Sequence, residues 1–368
     1  MSTVLVTGVS RYAGARLARE LSTRAGVDRV IGVDLPEPQF PLGEADFVRA
    51  DIGNPLIGRI IGQARVDVVV HLSMSADVRS GTARDSQKER NVIGTMQLLA
   101  ACQARPELRR FILKSTASVY GSSPKDPAVF TEGMPTGSRI RGGYLRDAVE
   151  VEGYVRSLAR RRPDVATCVL RMAHMVGSQV QSSFTDYLRS SVLAVPLGYD
   201  ARLQLLHPDD AVDALAAAAT GTCEGVVNVA GDGVVTLSQA ARLLGSPTLP
   251  LPTVPGRRLG SLARRFGAPT LTNDQIDYLM WGRALDTARM RTVLRMEPRW
   301  TTRATLVDFA AGVAARTPRE RPEGPERPER AGRAGSGLPG ITGLPGLPGI
   351  TGMSGMAGLP GMARGTSG

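Results

Sequence analysis

Short apolar segments alternate with amphipathic segments along the first 316 residues of the chain. The apolar segments are rich in valine, isoleucine and leucine, and they predict strands at residues 3–6, 30–33, 47–48, 66–72, 111–113 and 165–170. The spacing between them predicts helices near residues 12–23, 55–63, 86–104 and 144–161. Strands that are apolar on both faces and alternate with helices favour an α/β fold, with helices on both faces of a parallel sheet.

The pattern changes along the chain. Residues 1–170 carry the predicted sheet, and residues 171–316 carry shorter elements that we interpret as mainly a substrate-binding lobe, interleaved with the sheet. Residues 317–336 mix Pro, Glu and Arg and cannot bury enough apolar area to fold, which predicts a disordered linker. In the tail, residues 337–368, glycine recurs at every third residue from Gly337 to Gly361, as in collagen. A flexible tail and a tail that assembles copies both stay open.

Composition narrows the function classes. With 42% hydrophobic and 21% charged residues, the chain is typical of a globular protein. It has no apolar stretch of the length that a membrane span needs and no charged leader, so we expect neither a span nor a secretory signal. Cys102, Cys168 and Cys223 form no CxxC or Cys/His cluster, which predicts neither a disulfide framework nor a metal site. A cytoplasmic location is therefore expected.

The formal net charge of +11 raises the question of a nucleic-acid partner. Three of the 45 basic residues are lysines, and the arginines are spread along the chain rather than gathered in one stripe. No ladder of aromatic residues is interleaved with them, and no zinc-finger spacing occurs. We therefore expect no nucleic-acid partner.

A predicted strand leads directly into a helix at residues 4–17, VLVTGVSRYAGARL. At such a junction the helix N-terminus can bind a pyrophosphate if small residues allow its approach. Gly8 supplies the tight turn and Gly14 the close packing of helix on strand, whereas Arg11 stands where the usual pattern has its middle glycine. An arginine there can itself contact a phosphate.

Two acidic residues follow at the ends of the next strands. Asp34 lies twenty residues after Gly14, where a carboxylate can accept hydrogen bonds from an adenosine ribose and would repel a 2′-phosphate. NAD is thus favoured over NADP, with a simple strand-end cap as the alternative role. Asp51 can reach the adenine amino group or act as an ordinary turn residue.

With these motifs, the sequence resembles the extended short-chain dehydrogenase/reductase superfamily. Within it, the chain is similar to the NAD-dependent nucleotide-sugar epimerase/dehydratase family, especially actinobacterial members described as UDP-glucose 4-epimerases. The resemblance spans residues 3–312, and its pieces occur in family order: VTGVSRYAG, VIGVD, RADIGNP, VVVHLS, NVIGTMQLL, LKSTASVYGSS, VLRMAHMVG, LLHPDDAV and VNVAG. It implies a Rossmann-type sheet with a smaller C-terminal substrate lobe.

The resemblance also implies roles for individual residues. His71 and Leu72 match the turn near the ribose and nicotinamide of the cofactor, and Thr116 and Tyr144 match the catalytic pair. In the family the tyrosine takes the proton from the sugar hydroxyl while NAD takes the hydride. His174 stands where the family usually has an asparagine that contacts the diphosphate, although it can equally be an interior residue.

Arg283 is a further candidate for binding phosphate. Because the chain is rich in arginine, that assignment rests on little more than composition.

The family's lysine, four residues after the tyrosine, is missing. Its position holds Ala148, and no lysine follows Lys125, so no later tyrosine has such a partner. Arg141, Arg146 or Lys114 are conceivable substitutes, although Lys114 can equally cap its strand. Strand alternation would place Lys114 and Thr116 on one face.

The resulting expectation is an enzyme that isomerises or dehydrates a nucleotide sugar, a UDP-hexose above all, with NAD. The alternative is a catalytically impaired scaffold or sensor that binds NAD or the sugar nucleotide. We also expect a homodimer, which is common in this family.

Overall fold

The computed structural model describes residues 2–74, 88–136, 143–252 and 271–316. The strands are β1 Ser2–Thr7, β2 Val27–Asp34, β3 Asp46–Arg49, β4 Val68–His71, β5 Arg110–Thr116, β6 Ala166–Met172, β7 His174–Met175, β8 Leu193–Pro196, β9 Arg202–Leu203, β10 Leu205–Leu206, β11 Gly225–Val229, β12 Val235–Thr236 and β13 Thr248–Leu251. The helices are α1 Tyr12–Leu21, α2 Leu56–Gln63, α3 Gly94–Gln103, α4 Gly143–Arg161, α5 Ser183–Leu188, α6 Pro208–Thr220, α7 Leu237–Leu244, α8 Asn273–Trp281, α9 Ala288–Thr292 and α10 Thr302–Arg316.

Within the described ranges, seven strands form one sheet in the order β3-β2-β1-β4-β5-β6-β11. Every neighbouring pair in it is parallel. The strand order reverses between β1 and β4, and ligands of such sheets bind beyond the carboxyl ends of the strands at that point. The predicted α/β Rossmann-type fold is therefore confirmed.

Side chains along each strand alternate between two apolar layers. On β1, Val4 and Val6 pack with α1 and α6, whereas Leu5 packs with the layer that contains α2, α3 and α4. All three side chains are fully buried. Since burying one such side chain stabilises a fold by about 1.5–3 kcal/mol, the two layers hold the strand ends in place.

The shorter elements after β6 build a smaller apolar cluster. Phe184, Tyr187, Tyr278 and Phe309 contribute its large side chains. Its strands pair in twos, with β7 beside β10, β9 beside β12 and β8 beside β13. The strand β11, in contrast, returns to the main sheet beside β6.

The helix predicted over residues 86–104 differs from a regular α-helix. A π-helical turn, Glu89–Ile93, precedes α3, and residues 86–87 lie outside the described ranges. The wider turn contains the buried Asn91, whose amide donates to the Asp147 carboxylate at 3.2 Å. The Asn91 carbonyl accepts the Thr95 hydroxyl at 2.6 Å.

One cysteine prediction is wrong. Cys168 and Cys223 form a disulfide with Cα atoms 5.9 Å apart, although 55 residues separate them. The reason is topological, because Cys168 pairs across β6 and β11 with Gly225, two residues after Cys223. Cys102 is a free thiol, and burial raises its pKa to about 12.

The structure also bears on the predictions about a membrane span and about the C-terminal segments. Among the described residues, no helix is both long and apolar enough to cross a membrane. The linker predicted at 317–336 and the tail at 337–368 lie outside the described residues, as does the substitute candidate Arg141.

Candidate active site

Gly8 and Gly14 form the tight turn between β1 and α1. Gly8 has a φ of +81°, and a β-carbon built on it would lie 2.9 Å from the carbonyl carbon of Leu72. A β-carbon on Gly14 would overlap the carbonyl oxygen of Gly8. Because a side chain fits at neither position, the turn forms a backbone cradle in front of α1.

Arg11 occupies the N-cap of α1 in an extended conformation, and its side chain makes no capping hydrogen bond. The first N–H groups of a helix have no partner within the helix, and the helix dipole adds partial positive charge there. Together with the Arg11 cation, the cradle offers an anion both N–H donors and charge. This arrangement fits the pyrophosphate of a dinucleotide.

Asp34 ends β2 beside the same turn. Its carboxylate accepts the Ser10 N–H at 2.9 Å and the Leu35 N–H at 2.8 Å. Each carboxylate oxygen can accept a further hydrogen bond, so the group can still bind ribose hydroxyls. The Asp34 carboxylate can therefore cap the end of its strand and bind an adenosine ribose at the same time.

Asp51 is exposed, and its carboxylate accepts the N–H of Gly53 at 2.8 Å. This contact makes it a turn residue, and the exposed carboxylate keeps accepting capacity toward an adenine amino group. The two roles that the sequence leaves open are thus compatible in the structure.

His71 lies at the end of β4, fully buried between β1 and α3. Its Nδ1 is 2.8 Å from the Thr7 hydroxyl, and its Nε2 is 2.9 Å from the Thr95 hydroxyl. Burial lowers the pKa of His71 to about 4, so the ring is neutral at pH 7. The following Leu72 N–H donates to Thr7. These contacts bind the ends of β1 and β4 together, and Leu72 forms the wall behind Gly8.

A cleft of about 980 Å³ opens beyond the carboxyl ends of the strands. Its size is at the upper end of the range for ligand pockets. Six of the predicted or considered residues line it: Arg11, Lys114, Thr116, Tyr144, His174 and Arg283. The fold thus brings together residues that are far apart in the sequence.

Thr116 ends β5, and its hydroxyl oxygen accepts the N–H of Ser118 at 3.2 Å. The hydroxyl keeps its hydrogen to donate. Tyr144 lies in the first turn of α4, where burial raises its pKa to about 12. Arg11 opposes that rise and Asp147 adds to it. Tyr144 is therefore protonated at neutral pH and can donate a hydrogen bond.

Ala148, where the family has its lysine, is fully buried among apolar side chains of α4, including Val151 and Val155. Lys114 lies on β5, two residues before Thr116, and lines the cleft. Burial, and secondarily the Arg11 charge, lower the pKa of Lys114 to about 8. The family's lysine position on α4 thus lies in the apolar core, whereas the cleft is lined by a partly buried lysine on β5.

His174 lies against aromatic rings. The ring centroids of Phe184 and Tyr278 are 4.6 Å and 4.7 Å from that of His174. Burial, followed by the charges of Arg283 and Lys114, lowers the His174 pKa to about 3. At neutral pH this histidine is an uncharged ring in the cleft wall.

Arg283 is held by the loop that follows β5. Its Nε donates to the Gly121 carbonyl at 2.9 Å, one Nη to the Ser122 hydroxyl at 3.0 Å and the other to the Ser118 hydroxyl at 3.3 Å. Its guanidinium also packs over the Tyr278 ring, 5.1 Å from the centroid. Much of its donor capacity therefore serves to hold this loop.

Sequence reasoning missed the aromatic pair Phe184 and Tyr278. A signal for the helix of Tyr278 exists in the sequence, because Thr272 and Gln275 have the spacing of a capping box and form one at the start of α8.

Among the described residues, no group of three or more His, Cys, Asp or Glu side chains is arranged to hold a metal ion.

Comparison with known proteins identifies the family. The model of the NAD dependent epimerase/dehydratase family matches residues 4–230. The chain belongs to this family. An uncharacterized protein of Mycobacterium tuberculosis is 42% identical over 313 residues, which cover 84% of this chain and 83% of the relative. A UDP-glucose 4-epimerase of Klebsiella pneumoniae is 32% identical over 138 residues, 34% of this chain and 97% of the relative.

Solved structures share the fold. The UDP-glucose 4-epimerase of Thermotoga maritima with UDP-glucose superposes with a TM-score of 0.65 at 22% identity, over 85% of this chain and 99% of that chain. A dTDP-glucose 4,6-dehydratase of Bacillus anthracis in complex with NAD has a TM-score of 0.66 at 18% identity, over 86% and 97%. The family resemblance and the choice of NAD as the cofactor are thereby confirmed, whereas the roles of individual site residues stay predictions.

Proposed function

We propose that the protein converts a nucleotide sugar, with a UDP-hexose as the preferred class, by transient oxidation and reduction with NAD. The observation that carries the proposal is the continuous cleft of about 980 Å³, which runs from Arg11 beside the glycine turn to Thr116 and Tyr144. A cofactor bound at the turn would therefore share one space with the groups that contact the sugar.

The cofactor would be held by the cradle of Gly8 and Gly14, by Arg11 and by Asp34. The cradle suits a pyrophosphate because no side chain obstructs it, and the Asp34 carboxylate suits the ribose diol. When bound, NAD takes a hydride from a sugar carbon and returns it. In the same proposal, Asp51 faces the adenine, while His71 and Leu72 shape the floor at the end of β4.

Thr116 and Tyr144 would hydrogen-bond the sugar oxygen that becomes a carbonyl. Donors aimed at that oxygen stabilise the charge that develops on it during the reaction. On the substrate side, His174 and Arg283 line the cleft and are proposed to contact the nucleotide diphosphate. His174 would do so as a neutral hydrogen-bonding ring, since burial keeps its pKa low.

The first test is to measure NAD in the purified protein and the interconversion of UDP-glucose and UDP-galactose. Tyr144→Phe and Thr116→Val should each lower kcat by about 10²-fold, because each removes a hydrogen bond made to the reacting oxygen. Tyr154→Phe, on the same helix, is the matched control and should retain the parent rate. Protein that contains no NAD and binds none in calorimetry would refute the proposal.

A second candidate is a scaffold or sensor that binds NAD or a sugar nucleotide without converting it. Ala148 at the lysine position and the Tyr144 pKa of about 12 favour it, since both weaken the usual proton acceptor. Ala148→Lys separates the two candidates. A gain of epimerase activity would indicate a latent catalytic site, whereas ligand binding without any gain would favour the sensor.

Assembly and location stay predictions. We propose a homodimer in the cytoplasm, and we propose that the tail of residues 337–368 contributes to association. Removing the chain after residue 316 and measuring the mass in solution tests the tail. An unchanged oligomeric state would exclude that contribution.

A further inference from the structure

The lysine that lines the cleft lies on a different element from the lysine of the family. In the family the lysine stands on the helix of the tyrosine, whereas here Lys114 stands on the strand of Thr116. Residues two apart on a strand point to the same side, so Lys114 and Thr116 share a face of β5. Both line the cleft together with Tyr144.

Ser115, between them, points to the other side. Its hydroxyl donates to the Glu152 carboxylate of α4 at 2.6 Å, and it is buried. The alternation of β5 is therefore fixed by a contact on its opposite face. Lys114 cannot turn toward α4 without losing that bond, since a shift by one residue reverses every side chain of a strand.

Within the described part of the chain, the Lys114 amine has no hydrogen bond and no ion pair with a carboxylate. The groups that act on it or feel its charge are Arg11 from the start of α1 and His174 from β7. Arg11 is a permanent cation, and His174 is neutral above pH 3. Burial and the Arg11 charge lower the pKa of Lys114, so a larger share of its amine is uncharged near neutral pH than in an ordinary lysine, and the uncharged amine has a lone pair that can accept a proton.

Tyr144 is poorly suited to that task. With Ala148 in place of lysine, burial keeps the tyrosine pKa at about 12, so its ionised form is rare at neutral pH. A general base works best when its pKa is close to the working pH. Among the described residues that line the cleft, Lys114 meets this requirement, with a pKa of about 8.

We propose that Lys114 accepts the proton of the reacting sugar hydroxyl and returns it, while Tyr144 stays protonated and donates a hydrogen bond to the same oxygen. This inference rests on the proposed function. As the hydroxyl carbon loses its hydride to NAD, the O–H bond breaks and an N–H bond forms on the Lys114 amine. When the hydride returns, the proton moves back to the oxygen, so lysine and cofactor both end the cycle unchanged.

The titration of Lys114 can be measured without any turnover. The chain has three lysines, and Lys88 and Lys125 are exposed. Protein labelled with ¹³C at the lysine ε-carbons should give one resonance that titrates near pH 8. Lys114→Met identifies this resonance by its loss. A Lys114 resonance that keeps its protonated chemical shift well above pH 8 would overturn the proposal.

Substitution then separates a proton acceptor from a mere cation. Lys114→Arg keeps the charge but cannot lose its proton, and Lys114→Met removes both. Both should lower kcat by about 10²-fold with UDP-glucose and retain NAD binding. Lys125→Met is the matched control and should keep the parent rate. A Lys114→Arg variant with the parent rate would overturn the proposal.

A compensating change provides the last test. Adding Ala148→Lys to Lys114→Met restores the family arrangement and should recover about 10-fold or more of the lost rate. The pH dependence of kcat should then move from a group near pH 8 to the tyrosine. Failure of the parent to bind NAD would contradict the proposed function, whereas the lysine titration tests the Lys114 assignment independently.

Discussion

Glu152 and Arg171 form an ion pair of 2.7 Å in the interior of the protein, directly behind the strand that carries Thr116. Their side chains are 2% and 4% exposed. Ser115 donates to the same Glu152 carboxylate, and the Arg171 guanidinium lies 4.8 Å from the centroid of the Tyr120 ring. The pair thus connects α4, β5, β6 and the turn after Thr116, and it supports the reacting end of the cleft from behind.

Breaking this pair should strongly destabilise the protein. Glu152→Leu leaves the Arg171 cation buried without its carboxylate, and we expect the free energy of unfolding in urea to fall by about 3–5 kcal/mol. Adding Arg171→Met removes the orphaned charge and should recover most of that loss. Glu150→Gln, at a partly exposed position of the same helix, keeps an oxygen that can accept the Tyr154 hydroxyl; it is the control and should change stability by about 0.5 kcal/mol or less. An equally small effect of Glu152→Leu would contradict the assignment.

Gly14→Ala should separate cofactor binding from general helix stability. The added methyl group would overlap the Gly8 carbonyl oxygen, so the turn must move, and we expect the Kd for NAD to rise by about 10-fold or more. Gly153→Ala, in α4, is the matched control because a β-carbon there meets no atom within 4 Å. It should raise the free energy of unfolding by up to ~1 kcal/mol without changing NAD affinity. Calorimetric titration with NAD measures both variants.

Much of the sheet was predictable because its strands are apolar on both faces and their spacing is regular. The glycine turn was also predictable. Gly8 closely follows a predicted strand and Gly14 lies in the predicted helix, so the chain between them has room for little other than a tight turn. The pattern of apolar residues did not predict strand β11. It lies among the shorter elements of the second half, and only the tertiary fold brings it beside β6.

The contacts that define the site were less accessible to sequence reasoning. Nothing in the spacing of Cys168 and Cys223 indicates a disulfide, because their proximity depends on two strands that pair across 55 residues. Likewise, the three donors of Arg283 reach Ser118, Gly121 and Ser122 only after the lobe folds over β5. Long-range contacts of this kind leave no periodic pattern in the sequence from which they could be predicted.

Asp34 should determine which dinucleotide binds. Asp34→Asn keeps an oxygen that can accept the Ser10 N–H but removes the charge that would repel a 2′-phosphate. We expect the ratio of NADP affinity to NAD affinity to rise by about 10-fold, or ~1.4 kcal/mol. Asp28→Asn, an exposed change at the start of the same strand, should leave the ratio unchanged. An unaltered ratio in Asp34→Asn would mean that the carboxylate serves only the turn.

His71 should make the protein less stable in mild acid. Its pKa falls from an ordinary value of 6.5 to about 4 in the folded protein, so between these values the unfolded chain binds a proton that the folded chain does not. The free energy of unfolding must then decrease as the pH falls from 6.5 toward 4, and this contribution is fully present above 6.5. From pH 7 to pH 5 we expect the His71 contribution to fall by about 2 kcal/mol.

His71→Gln tests this dependence, because glutamine can still hydrogen-bond to Thr7 and Thr95 but does not titrate. Urea unfolding at pH 7 and pH 5 should show a smaller loss of stability in the variant than in the parent, by about 2 kcal/mol. His174 also has a lowered pKa, but it is present in both proteins and its contribution cancels in the comparison. Equal losses in the two proteins would mean that His71 is charged in the folded state, which its complete burial argues against.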